Sequence, residues 1–237
     1  TDEILNGVRR GIVQMGTIPT AVLPRSVSTA GIASGLPFAF RDTWEAMYFY
    51  RHLGFEQMLR EEVAELGVLF ATDKIVSNEL VLRRPVESLD DFKSLRLRSS
   101  GAAERFLSAA GAAASFIPGP ELYQSLSTGV VDGAHWGGPL GASSMSLYEA
   151  AKYHAKPAIA IGGTDGFIVS QSAIDDLPED IRGCVVKTLD DHFMERAIEY
   201  QYQDRIALAQ AIENEGVAVN QLPDEVLDHL AEVAMKH

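Results

Sequence analysis

The chain of 237 residues carries a single cysteine, Cys184, which excludes an internal disulfide and a cysteine-rich metal centre. Positive charge is scarce: 20 Lys and Arg stand against 33 Asp and Glu, for a net charge of -13. No basic surplus is available to neutralise phosphates, which argues against a nucleic-acid partner. It does not argue against a small anionic ligand, because one buried arginine outweighs distant, screened carboxylates locally. No apolar run reaches the roughly eighteen residues of a membrane span. Motifs of covalent and nucleotide chemistry are also missing: there is no G-x-S-x-G, H-E-x-x-H, Walker A or G-x-G-x-x-G. Cys184 sits between Gly183 and Val185 with no histidine close in sequence, which disfavours a thiol nucleophile. Nothing here marks an enzyme, and no cofactor is expected.

What is present is an ordinary globular composition, 46% hydrophobic and 22% charged, in a chain long enough for one large or two small cores. The pattern alternates between strand and helix. Helical periodicity predicts segments at 4–10, 43–59, 102–113, 121–128, 179–215 and 224–236, the longest being closed by Gly216. Strands are expected at 11–15, 66–72, 75–82, 95–98, 115–117, 130–136 and 166–170, with turns at Pro118-Gly119-Pro120 and Gly137-Gly138-Pro139. Such alternation predicts an α/β fold with a largely parallel sheet. Repeats and low-complexity segments are absent.

The segment Leu95-Arg96-Leu97-Arg98-Ser99-Ser100-Gly101 draws attention first. Leu95 and Leu97 alternate with Arg96 and Arg98, so both arginines share the polar face of a short strand. Arg98 lies at the strand's carboxyl end, just before a helix, where open α/β sheets place their ligands. A guanidinium offers a planar donor fork that matches a carboxylate and holds its charge. The same spacing equally suits two ordinary surface charges on a half-exposed strand. His135-Trp136-Gly137-Gly138-Pro139 adds an aromatic wall beside glycines, although Trp136 there equally suits core packing. Phe38 and Phe40 beside Pro37 fit a ligand wall or core, and Gly162-Gly163-Thr164-Asp165 fits a backbone contact or a plain turn.

Four stretches, in order along the chain, carry a resemblance to a known family. They are Leu36-Pro37-Phe38-Ala39-Phe40, the run from Leu89 to Arg98, the run from Glu121 to Gly133, and Leu147-Tyr148-Glu149-Ala150-Ala151-Lys152-Tyr153. Together they resemble the solute-binding receptors of tripartite ATP-independent periplasmic (TRAP) transporters, and most of all the branch that takes 2-oxo acids and related carboxylates. The resemblance implies a two-lobed solute-binding fold with a ligand cleft closed by hinge motion, and a long C-terminal helix spanning both lobes. It places a first lobe at 1–76, a second at 77–165, and a bracing remainder at 166–237. It also implies that relatives carry a strand and a helix before the segment 3–16, so the first lobe is expected without them. No signal-peptide pattern is present, and a periplasmic location rests on the resemblance alone.

In that family the arginine matching Arg98 pairs with the ligand carboxylate. The related branch holds a metal ion through a Glu side chain, the Trp carbonyl and a Gln. Here His135 stands at the Glu position and Asn78 at the Gln position. The hard anionic oxygen that Ca²⁺ or Na⁺ favours is thereby lost. The expectation is a site of Arg98, Trp136, His135, Asn78, Phe38 and Gly137, in which His135 donates to the ligand directly. A metal at His135 and Asn78 is the weaker alternative. The implied function is capture of a small organic acid and its delivery to TRAP membrane subunits, by a monomer or a homodimer. An enzyme acting on a 2-oxo or 2-hydroxy acid, or a ligand-presenting sensor, are the competing readings.

Overall fold

The computed structural model describes residues 2–236; Thr1 and His237 lie outside the described residues. Its strands are β1 (Met15–Pro19), β2 (Val68–Leu82), β3 (Arg96–Arg98), β4 (Ala113–Ser115), β5 (Gly133–His135), β6 (Tyr153–Ser170) and β7 (Ala218–Gln221). The chain divides into two compact units. One holds the residues up to Ser34, Asp42–Val76 and Gly162–Tyr200; the other holds Gly35–Arg41, Ser77–Ile161 and the chain from Gln201 onward. Strands β2 and β6 and the helix Glu179–Glu215 each begin in one unit and finish in the other. Among the described residues no helix is long and apolar enough to cross a membrane.

In the first unit β1 pairs antiparallel with the end of β6, Met15 opposite Val169 and Pro19 opposite Asp165. The expected strand at 11–15 instead begins at Met15. Gly11 adopts φ +68°, and the Ile12 and Val13 amides bond back to the Gly7 carbonyl, so the segment turns before it extends. The helix expected at 43–59 is two, Thr43–His52 and Phe55–Ala64, because Gly54 takes a left-handed φ of +85° between them. Asp42 caps the first by accepting the Glu45 amide at 2.8 Å. The core of this unit includes Tyr50, Phe55, Leu59, Phe70 and Phe193, all nearly fully buried.

In the second unit β5 pairs antiparallel with the end of β2 and parallel with β3, and β3 pairs parallel with β4. β7 lies parallel beside the start of β6. The sheet is therefore mixed rather than largely parallel. Side chains alternate across it. Leu80, Leu82 and Leu97 face one apolar cluster with Phe92, Phe106 and Leu230; Val81 and Ala134 face another with Leu122, Leu126 and Tyr148.

Two strands are longer than their sequence pattern. β2 runs unbroken through Asp73-Lys74, and β6 begins at Tyr153, so Gly162-Gly163-Thr164-Asp165 is extended rather than a turn. Packing explains part of the glycine content of β6: a Cβ at Gly166 would lie 2.1 Å from the Phe70 ring.

Candidate ligand site

The two arginines of β3 have opposite fates. Arg96 is exposed and forks onto Asp132, with Nε 2.9 Å and Nη2 2.7 Å from its carboxylate. That is a surface ion pair, and it closes off Arg96 as a ligand group. Arg98 is only 6% exposed and has no carboxylate partner among the described residues.

Two carbonyls and two aromatic rings hold Arg98 in place. Its Nε donates to the Ile117 carbonyl at 3.0 Å and its Nη1 to the His135 carbonyl at 2.7 Å. The guanidinium carbon lies 4.5 Å from the centre of the Trp136 ring and 5.8 Å from that of Phe116. Burial pushes its pKa down to about 10, against the pull of Glu104, so the charge persists at neutral pH. The Nη2 group makes no hydrogen bond among the described residues. A fixed, partly desolvated cation with donor capacity to spare is costly for the protein alone and suited to an incoming anion.

Trp136 is itself wedged. It follows β5 and meets Gly119, where a Cβ would lie 2.7 Å from the indole. Gly137 takes φ +66°, a conformation that favours glycine, and its carbonyl accepts the Glu79 amide at 3.0 Å. Arg98, Trp136, Gly137 and the His135 backbone are thus brought together.

The other expected residues are placed elsewhere. Arg98 is in register with Ala134, on the face of Leu122 and Leu126; His135 is in register with Leu80, on the opposite face. The His135 imidazole shares a hydrogen bond with the Ser99 hydroxyl at 3.1 Å. Burial, and then the Arg98 charge, push its pKa down to about 4, so it is neutral at pH 7. Asn78 lies two residues from Leu80 in β2 and so shares the His135 face; it is buried, and its amide makes no hydrogen bond among the described residues. Phe38, with φ +55°, packs edge-on against Phe106 in the core cluster below that face.

Among the described residues no three His, Cys, Asp or Glu side chains group so as to hold an ion. His135 is neutral, engaged by Ser99 and within the field of Arg98, and Asn78 offers one amide oxygen. These donors do not fit a hard cation such as Ca²⁺.

Sequence reasoning missed two contributors. Phe116 completes the aromatic surround of Arg98; the parallel register of Arg98 with Ser115 carries the chain to it at the strand ends, so the segment Ser115-Phe116-Ile117 held the signal. Asp204 accepts the Leu140 amide at 2.8 Å just beyond the Trp136 turn. An acid midway along a 37-residue helix gives no local sign of that role.

Comparison with known proteins agrees with this architecture. A monocarboxylate 2-oxoacid-binding periplasmic protein of Nostoc is 24% identical over 170 residues, which are 65% of this chain and 43% of that protein. The match thus spans under half of that relative's length. A TRAP transporter solute-binding protein from Bordetella bronchiseptica, with calcium and picolinate bound, superposes with a TM-score of 0.85 at 21% identity over 99% of this chain and 70% of its own. One from Colwellia psychrerythraea, with calcium and pyruvate bound, gives 0.87 at 20% identity over 99% of this chain and 72% of its own. At such identities the two structures carry the fold alone. The family described as bacterial extracellular solute-binding protein, family 7 (DctP), matches residues 1–236, and the chain belongs to it.

Proposed function

We propose that this chain is the solute-binding receptor of a TRAP transporter, working in the periplasm, which captures a small organic acid by pairing its carboxylate with Arg98 and passes it to the membrane subunits. One observation carries the reading: the Arg98 guanidinium is buried, fixed by the Ile117 and His135 carbonyls and by Trp136, and lacks a carboxylate among the described residues. Family membership supports it, and so do the picolinate and pyruvate found in the Bordetella and Colwellia proteins.

The chemistry of the pairing is simple. Arg98 keeps its charge, and its two internal hydrogen bonds set the plane of the fork before a ligand arrives, so little ordering is left to pay for on binding. The ligand carboxylate accepts from the outward edge, and the Trp136 ring walls the guanidinium on one face.

Isothermal titration with pyruvate and picolinate tests the reading. The parent protein should bind at least one of them, and Arg98→Ala should weaken that binding by about 3–5 kcal/mol, the cost of leaving a buried carboxylate unpaired. An Arg98→Ala variant that binds as the parent does sinks the proposal.

A further inference from the structure

The turn that presents Trp136 is anchored from an unexpected direction. Gly137-Gly138-Pro139 carries the chain from Trp136 into the helix Pro139–Ser144. One anchor is the Glu79 amide on the Gly137 carbonyl. The other is Asp204, in the part of the long helix that belongs to the same unit, whose Oδ1 accepts the Leu140 amide at 2.8 Å. Its carboxylate presses on the turn so closely that a Cβ at Gly138 would lie 2.5 Å from Oδ2.

The charged surroundings of Asp204 come from several elements. Glu79 on β2, His154 and Lys156 on β6, and Tyr148 from the helix Leu147–Ala150 all act on it or feel it. Glu79 is already satisfied: His154 Nε2 contacts it closely and Lys156 Nζ lies 2.6 Å away, while Tyr148 bonds the other side of His154 at 2.8 Å. Among the described residues Asp204 accepts a hydrogen bond from the Leu140 amide alone. Burial, and secondarily Glu79, push its pKa up to about 6 against that amide, Lys156 and His154.

We propose that Asp204 is a positioning residue for the Arg98 site: its carboxylate, seated on Gly138 and bonded to the Leu140 amide, fixes the turn that holds Trp136 over the guanidinium. This rests on the reading that Arg98 binds the ligand. An ionised acceptor makes a hydrogen bond about twice as strong as a neutral one, so protonating Asp204 loosens the turn. The direction is opposite to a packing role. The raised pKa means that ionised Asp204 costs folding stability, which is present in acid and lost as pH rises through about 6.

The test uses Trp44→Phe as background, since the chain has two tryptophans and Trp44 is exposed on the helix Thr43–His52. In that background Trp136 emission should titrate with a midpoint near pH 6. Adding Asp204→Asn should abolish the step and fix the emission at its acid value. It should raise the melting temperature at pH 7.5, yet weaken pyruvate or picolinate binding by about three- to tenfold. The parent should lose affinity to the same level at pH 5. Persistence of the emission step in Asp204→Asn would assign it to another group and overturn the proposal, as would unchanged affinity. If the parent binds no carboxylate, the Arg98 reading fails, and the emission step still decides whether Asp204 holds the turn.

Discussion

Each unit holds a largely buried cation, Lys74 in the first and Arg98 in the second, and the two are treated in opposite ways. Lys74 in the first unit is clamped between Asp73 at 2.7 Å and Asp165 at 2.6 Å, with His192 bonding the far side of Asp73 at 2.9 Å. Burial works against its charge, but Asp165 and Asp73 more than offset that and hold its pKa above the ordinary value. Arg98 in the second unit sees two carbonyls and two rings, and burial wins. A cation neutralised from within completes a strand; on the proposed reading, a cation left without an anion is kept for a ligand. On that reading the contrast separates a structural charge from a functional one.

Deleting each charge should give crossed results. Lys74→Met strands two carboxylates in a partly dry setting and should cost about 3–5 kcal/mol in urea denaturation. Arg98→Met removes a cation that has no counter-anion but strips the Ile117 and His135 carbonyls of their donor, so it should destabilise the ligand-free protein less than Lys74→Met does, while losing ligand binding. Equal destabilisation by the two variants would erase the distinction.

A smaller effect sharpens the same point through His135. Its folded pKa is depressed to about 4 by burial and by Arg98, below an unfolded value of about 6.5. The stability this represents is complete above about pH 6.5 and is lost as pH falls towards 4, by up to about 3 kcal/mol. His135→Gln should flatten that part of the pH–stability curve, and Arg98→Met should make the loss smaller and end it at a higher pH, because the folded pKa rises once the Arg98 charge is gone. The smallest effect belongs to Arg96: Arg96→Ala should leave both ligand affinity and the urea midpoint within experimental scatter, because its pair with Asp132 is solvent-screened.

The sequence made some of this legible, for physical reasons. Alternation of Leu95 and Leu97 with the arginines located β3, and unbroken helical periodicity up to Gly216 located the helix Glu179–Glu215. The interior of β2 was not legible at Asp73-Lys74, because Asp165 and His192, which neutralise that pair, lie 91 and 119 residues away. The start of β6 was hidden by Gly162, Gly163 and Gly166, which read as a break until Phe70 is seen against Gly166. For the site, chemistry was legible and orientation was not. Residue types pointed to Arg98 and Trp136, but strand register alone decides that His135 and Asn78 face the other side of the sheet. Likewise, only packing shows that Asp132 claims Arg96 and that, among the described residues, no carboxylate claims Arg98.

The interleaved course of the chain has a consequence for any attempt at dissection. The backbone passes between the two units at 34/35, 41/42, 76/77, 161/162 and 200/201, so neither unit corresponds to a contiguous gene fragment. A cut at 41/42, 76/77 or 161/162 divides both units, and a cut at 34/35 or 200/201 divides one of them, so a single backbone nick cannot release either unit free of the other. Exchange of one contiguous segment therefore cannot swap one unit and leave the other whole.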